Sequence, residues 1–273
     1  TVGIFVDDIA ARPQSVERAR LAALRLMSSM ASGDHVVLVA PASGLTAAIR
    51  FPTSAPELER LVGRITAHCL LSGAMTSAEV RQLYYWRLDA LEATFQQLSQ
   101  YRGPSSLVIL GRHQSYERGG IGRMSYDRLM DASRRANAAV YLLDCSAASA
   151  SVDGLGSVAI RPPADSRNSE APKGPASQAG RMSLLTGGHA ADPFEAVAVD
   201  SGGFSGALGD EPALAIARVL AETRGDYIIG LQPVPERGRA RWHVLKVRVR
   251  KRGCRVKTRS GYLALPTMPA SHP

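Results

Sequence analysis

Apolar residues along the chain fall into short near-continuous runs, separated by longer stretches in which they recur every three or four positions. Val2–Val6, His35–Ala40, Ser106–Leu110 and Ala139–Leu143 are of the first kind. Runs of that length read as strands buried on both faces. Ser15–Met30 is of the second kind, with Val16, Ala19, Ala23, Leu24, Met27 and Met30 on one helical stripe. Pro13 before it and Gly33 after it suit a helix entry and exit. Leu45–Phe51 follows His35–Ala40 across Pro41–Gly44, which predicts a hairpin. Ser54 with Glu57 predicts a boxed N-cap and a helix to about His68; Thr76 or Ser77 starts a long helix to about Tyr101. Ser125–Ala136 predicts another. The order β-α-β-β-α-α-β-α-β predicts an α/β fold: a mainly parallel sheet, helices on both faces, one antiparallel strand at its edge.

The pattern changes after Cys145. Ser146 to about Gly188 is rich in Ser, Pro, Gly and Ala and reads as a long mobile excursion. Periodicity returns with Phe194–Val199, which fits helix or strand, and with a helix over Glu211–Thr223 opened by Pro212. The remainder reads as β: Tyr227–Leu231, Trp242–Arg250 and Arg255–Ser260, with Gly253 in the last turn. The organisation expected is a 1–145 core, a 146–190 excursion, a 191–225 return to the core, basic C-terminal strands over 226–265 and a 266–273 tail. No solenoid-period repeat is present.

Composition narrows the class. In 273 residues, 45% are hydrophobic and 21% charged, which excludes wholesale disorder. No apolar run approaches the roughly 20 residues of a membrane span. Three cysteines, Cys69, Cys145 and Cys254, are too few and too scattered for a disulfide framework or a zinc site. Thr1 stands directly before a strand, so the start looks processed or trimmed. Lys and Arg number 33 against 24 Asp and Glu, a net charge of +9. Much of it is patterned. Lys246, Arg248 and Arg250 alternate with Leu245, Val247 and Val249, and Arg255, Lys257 and Arg259 repeat the parity. A two-residue turn at Arg252-Gly253 would pair 250 with 255, 248 with 257 and 246 with 259. Like charges directly opposite are destabilising. The face is then solvent-screened, differently registered, or covered by something anionic: an acidic protein surface, a lipid head group or a nucleic-acid backbone. Nucleic acid is the weaker option, because aromatics are only 5% and few interleave with the charges.

Candidate chemistry is sparse. Asp7-Asp8 after an apolar strand fits a phosphoreceiver, but the required Asp after the third strand and Lys after the fifth are missing. No G-x-S-x-G elbow follows a strand, and the six histidines form no H-x-x-x-H pair. Gly119-Gly120-Ile121-Gly122 lacks a strand–glycine–helix setting and reads as a loop.

In their order, several stretches resemble von Willebrand factor A-type (VWA) domains, in particular the bacterial, acidobacterial-type VWA-related group. Ile4-Phe5-Val6-Asp7-Asp8 opens the resemblance. Ser32-Gly33-Asp34-His35-Val36-Val37-Leu38-Val39, Gly103–Leu110 and Ala136–Asp144 continue it. Asp226–Leu231, Trp242–Val247 and Arg259-Ser260-Gly261-Tyr262 complete it. The resemblance implies a Rossmann-like VWA fold with a C-terminal β-hairpin extension and a binding site at the carboxyl edge of the sheet, where open α/β sheets bind ligands generally.

In VWA domains that edge carries a metal-ion-dependent adhesion site, D-x-S-x-S with a later Thr and Asp, whose hard oxygen ligands hold Mg²⁺. Here Asp7 is followed by Ile9 and Ala11 at the serine positions, and Asp8 by Ala10 and Arg12. Gly111-Arg112-His113 stands where Thr-Asp-Gly is common, and Thr76 is the candidate for the threonine. The resemblance therefore implies a degenerate site, with Asp7 and Asp8 as residual metal candidates or as loop caps, and Arg12 and Arg112 supplying positive charge nearby. The function expected is a non-enzymatic, exported protein-binding or scaffold module without a cofactor. The partner surfaces would be Arg12, Arg112, Lys246, Arg248, Arg250, Arg255, Lys257 and Arg259, and the apolar hairpin face would be covered by another protein or a missing N-terminal β segment. An active Mg²⁺-dependent module that captures a partner carboxylate, and a structural subunit of a larger envelope assembly, are the alternatives.

Overall fold

The structure, a computed structural model, describes residues 1–9, 11–68, 76–111, 121–146, 193–208, 212–224, 241–250, 258 and 261–264. Strands β1 (Val2–Val6), β2 (His35–Ala40), β3 (Leu45–Arg50), β4 (Ser105–Gly111), β5 (Ala138–Asp144) and β6 (Phe204–Ala207) form one sheet in the order β3-β2-β1-β4-β5-β6. All neighbours are parallel except β2 and β3, whose antiparallel pairing runs from His35–Arg50 to Ala40–Leu45. The fold is thus α/β with a mostly parallel mixed sheet, and the hairpin puts β3 at the edge.

Alternate residues of each central strand serve different cores. Ile4, Val6, Val36, Leu38, Val108, Leu110 and Leu143 pack with helices α1 (Pro13–Ser28) and α2 (Ala55–Gly63). The C-terminal helix of the core, α6 (Pro212–Arg224), adds Ile216 and Val219 to that side. Phe5, Val37, Val39, Leu107, Ile109, Val140 and Leu142 pack with α3 (Ser77–Leu98), α4 (Ile121–Arg135) and α5 (Pro193–Asp200). A period of two along strands apolar at every position needs a helical layer on each side, and both layers are present.

Several boundaries differ from the sequence reading. The α2 helix stops at Gly63, and Ser54 at its N-cap makes no side-chain capping bond. The α3 cap is a complete box: the Thr76 hydroxyl accepts from the Glu79 amide, and the Glu79 carboxylate accepts from the Thr76 amide at 2.7 Å. Phe194–Val199 lies in a helix, buried almost all round. The strand β6 was not legible in sequence. It has only four residues and pairs with Tyr141–Asp144. Phe204 anchors it, edge-on to Tyr141 at 5.3 Å and under the Arg218 guanidinium at 3.8 Å. Gly203 before it must be glycine, since a Cβ there would lie 1.9 Å from the Val140 carbonyl oxygen.

A separate antiparallel pair, β7 (Arg241–Val244) and β8 (Gly261–Ala264), matches Arg241 with Ala264 and Val244 with Gly261. That is the register of the expected hairpin carried outward, but the strand expected over Trp242–Arg250 ends at Val244. Residues 146–188 apart from Ser146, Tyr227–Leu231 and all of Arg255–Ser260 except Thr258 lie outside the described residues. No helix among the described residues is long and apolar enough to cross a membrane.

Candidate functional site

Strand order places the chemistry. From β1 the chain turns outward to β2, and from β4 it turns the other way to β5. The carboxyl ends of β1 and β4 therefore flank a topological switch point, the crevice where open α/β sheets bind ligands. Asp7 and Asp8 stand just beyond β1 at that point. The Asp7 amide donates to the Leu110 carbonyl at 2.8 Å, continuing the ladder by one bond, and the Asp8 amide folds back onto the Val6 carbonyl at 3.0 Å.

The two carboxylates have separate duties. Asp8, fully buried, accepts from the Ala42 amide at 2.9 Å and the Ser43 amide at 2.7 Å, so both its oxygens hold the β2–β3 turn. Ser43 passes the constraint on: its hydroxyl accepts from the Thr66 amide at 2.9 Å, and the Thr66 hydroxyl meets His68 Nε2 at 3.0 Å. His68 also bridges to Ile9.

Asp7, 6% exposed, faces Arg87 of α3, 7% exposed, with Arg87 Nε 2.6 Å from Asp7 Oδ2. Asp7 Oδ1 is buried without a hydrogen-bond partner among the described residues. Burial raises the Asp7 carboxyl above the usual carboxylate range, and the Arg87 guanidinium pulls it back only in part. Gly111, at the end of β4, closes on the same side chain: a Cβ there would come within 2.5 Å of Asp7 Cβ.

Arg87 is the site residue that sequence reasoning missed. Its signal was present. It interrupts the buried stripe Tyr84, Leu88, Leu91, Phe95, Leu98 of α3 at a position that is apolar by spacing. A charge on such a stripe needs a buried partner.

The other expected site residues fare differently. Arg12 is exposed at the N-cap position of α1 and makes no side-chain cap. Thr76 is committed to its capping box and lies eleven residues before Arg87, about 16 Å along the helix. Lys246, Arg248 and Arg250 are exposed beyond the end of β7, with Val247 and Val249 also exposed. Arg112, Arg255, Lys257 and Arg259 lie outside the described residues.

The described residues do not fit the Mg²⁺ that a VWA resemblance implies. Ile9, where a ligand serine would stand, is 2% exposed and apolar. Both Asp8 oxygens are taken by amides, and one Asp7 oxygen by a guanidinium. No group of three or more His, Cys, Asp or Glu is placed to hold a metal among the described residues. Cys145, next to this edge, has its thiol pushed up to about 12 by burial and by Asp144; it is a core residue rather than a nucleophile. No family model matches this chain, and no curated protein matches it.

Proposed function

We propose that the protein is a non-enzymatic, VWA-like protein-binding or scaffold module whose sheet-edge site works without a metal. The observation that carries this reading is the buried Asp7–Arg87 ion pair at the switch point, 2.6 Å long. It neutralises the carboxylate on which a metal site would be built. Contacts then come from the rim of that edge, including exposed Arg12, and from the exposed cations Lys246, Arg248 and Arg250, which suit an acidic partner surface. Export from a bacterial cell belongs to the same proposal and rests on the resemblance alone.

The test is a thermal melt of the chain in EDTA and in millimolar Mg²⁺ or Mn²⁺. A ligand that binds only the folded state at 100 times its Kd adds about 2.7 kcal/mol of stability. The expected result is superimposable melts. An upward shift lost in Asp7→Ala would replace this reading with metal-dependent capture of a partner carboxylate.

A second reading, a subunit of a larger assembly, is favoured by Val244, Val247 and Val249, which are 50%, 38% and 50% exposed on one short segment. Light scattering after size exclusion checks it. The self-associating form of this reading expects a discrete oligomer that Val247→Asp/Val249→Asp dissociates, and a strictly monomeric wild type ends that form.

A further inference from the structure

We infer that the N-terminus of α1 is a binding site for a phosphate monoester, held by the backbone amides of Gln14 and Ser15, the Ser15 hydroxyl and the Arg12 guanidinium. The site gives a chemistry to the rim of the protein-binding edge proposed above. It rests on that reading only for the source of the phosphate, a phosphorylated side chain of the partner.

One observation is an open helix end. Arg12 stands at the N-cap in an extended conformation without a side-chain hydrogen bond, Pro13 follows it, and the first turn carries no acid. The first helical bond runs from the Val16 amide to the Arg12 carbonyl at 3.1 Å, which leaves the Gln14 and Ser15 amides without an acceptor among the described residues. The equivalent third amides of α2 and α3 are satisfied: Glu57 donates to the Ser54 carbonyl at 3.1 Å, and Glu79 to the Thr76 hydroxyl at 3.3 Å. Two open amides on an uncompensated helix dipole favour an anion.

The second observation is a side chain. Ser15 is only 9% exposed, yet its hydroxyl makes no hydrogen bond to a described residue. Nor is that oxygen one of the sealed polar atoms of the core, so it keeps contact with solvent. A buried hydroxyl in this condition is costly unless something bonds it. Helical side chains lean toward the N-terminus, which sets the Ser15 hydroxyl over the turn that carries the two amides. Arg18, three residues on, donates to the Ser146 carbonyl at 3.2 Å and so places this flank of α1 against the carboxyl end of β5.

The carboxylates of that edge are engaged elsewhere. Asp7 is paired with Arg87, both Asp8 oxygens hold the Ala42 and Ser43 amides, and Asp144 accepts from the Ser146 amide at 2.7 Å. Arg12 is exposed and makes no ion pair with a described residue. Two amides, a hydroxyl and a guanidinium fork are more donors than the two oxygens of a carboxylate use. They suit the three terminal oxygens of a phosphate monoester.

The test is a titration of the full chain at neutral pH and constant ionic strength, followed by the amide resonances of Gln14 and Ser15. The probes are inorganic phosphate and N-acetyl-phosphoserine amide, and both amides are expected to shift saturably with either. Ser15→Ala and Arg12→Ala are each expected to weaken binding about tenfold, the usual weight of one hydrogen bond to a charged group. Arg25→Ala, in the last turn of the same helix, is expected to change nothing. Arg12→Asp puts a capping carboxylate on the same two amides. It is expected to abolish binding while raising the melting midpoint by about 2–4 °C.

Amides that stay still in phosphate overturn the inference. So does a Ser15→Ala chain that binds as tightly as wild type, or an Arg25→Ala loss equal to that of Arg12→Ala, which would mark a general response to net charge. Binding of inorganic phosphate without the phosphoserine amide overturns the ester and the partner as its source. N-acetyl-aspartate amide binding as tightly as the phosphoserine amide overturns the choice of phosphate. None of these outcomes touches the metal-free scaffold reading, which is decided by the melts in EDTA and in Mg²⁺ or Mn²⁺.

Discussion

Arg87 and Asp7 stabilise the fold less than their contact implies. Burying both charges costs desolvation that their attraction offsets only with close geometry. Removing one partner is different, because the other stays buried and uncompensated. Arg87→Met is expected to lose about 3–5 kcal/mol at neutral pH, whereas Asp7→Asn/Arg87→Met is expected to lose much less than the two single changes together. Urea unfolding of the four chains in a double-mutant cycle measures the coupling.

The pH dependence has a definite sign. Burial holds the folded Asp7 carboxyl above its ordinary 3.8. The folded state therefore binds more protons than the unfolded one at this group. Its contribution to stability is greatest below the ordinary value and falls as pH rises through the raised one. Without Arg87 the carboxyl rises further, so the Arg87→Met penalty is expected to shrink as the pH of the urea series is lowered from 7 toward 5. A penalty independent of pH would mean that Asp7 is not the group left unpaired.

At the level of elements, local chemistry decided starts better than stops. The box at Thr76 and Glu79 is readable from residue types alone and forms as read. Thr76→Ala is expected to lower the melting midpoint by about 2–4 °C, the usual weight of one N-cap in a chain of this size. Because the Thr76 amide and, second, its hydroxyl hold the Glu79 carboxyl below its ordinary 4.5, the part of the difference owed to the hydroxyl–carboxylate bond is expected to persist at neutral pH and to fade as pH falls through that lowered value. Differential scanning calorimetry at two pH values checks both parts. The same S-x-x-E spelling at Ser54 and Glu57 makes no side-chain cap. Pro56 stands in that first turn. β7 shows the opposite case: its pairing register follows from a two-residue turn at Arg252-Gly253, while its length was not legible, because the alternation of Lys, Arg and Val continues past Val244, where the strand ends.

For the molecule as a whole, the sheet divides the interior into two cores that meet only through the strands. Leu26 of α1 and Leu91 of α3 are fully buried on opposite sides. Each Leu→Ala change is expected to cost about 2–5 kcal/mol, and the double change their sum within about 0.5 kcal/mol, because the sites share no partners. Equilibrium unfolding of the set tests this; strong non-additivity would mean that the layers communicate through the sheet. The continuous apolar runs of β1, β2, β4 and β5 made the parallel sheet and both helical layers readable from the sequence, since a strand apolar at every position has to be covered twice. Alternation of strands and helices set their order.

What pattern could not supply was any contact between residues distant in the chain. Phe204–Ala207 is too short and glycine-flanked to announce a strand, and it exists because β5 offers an edge, Gly203 fits beneath the Val140 carbonyl and Arg218 covers its aromatic ring. Asp7 and Arg87 stand eighty residues apart, and the DxSxS comparison looks only at the neighbours of Asp7. Residue types marked both as unusual, a carboxylate closing an apolar strand and an arginine on an apolar stripe. Their meeting was decided by the packing of α3 across β1, since burial permits a charge on a stripe only where folding delivers its counter-charge.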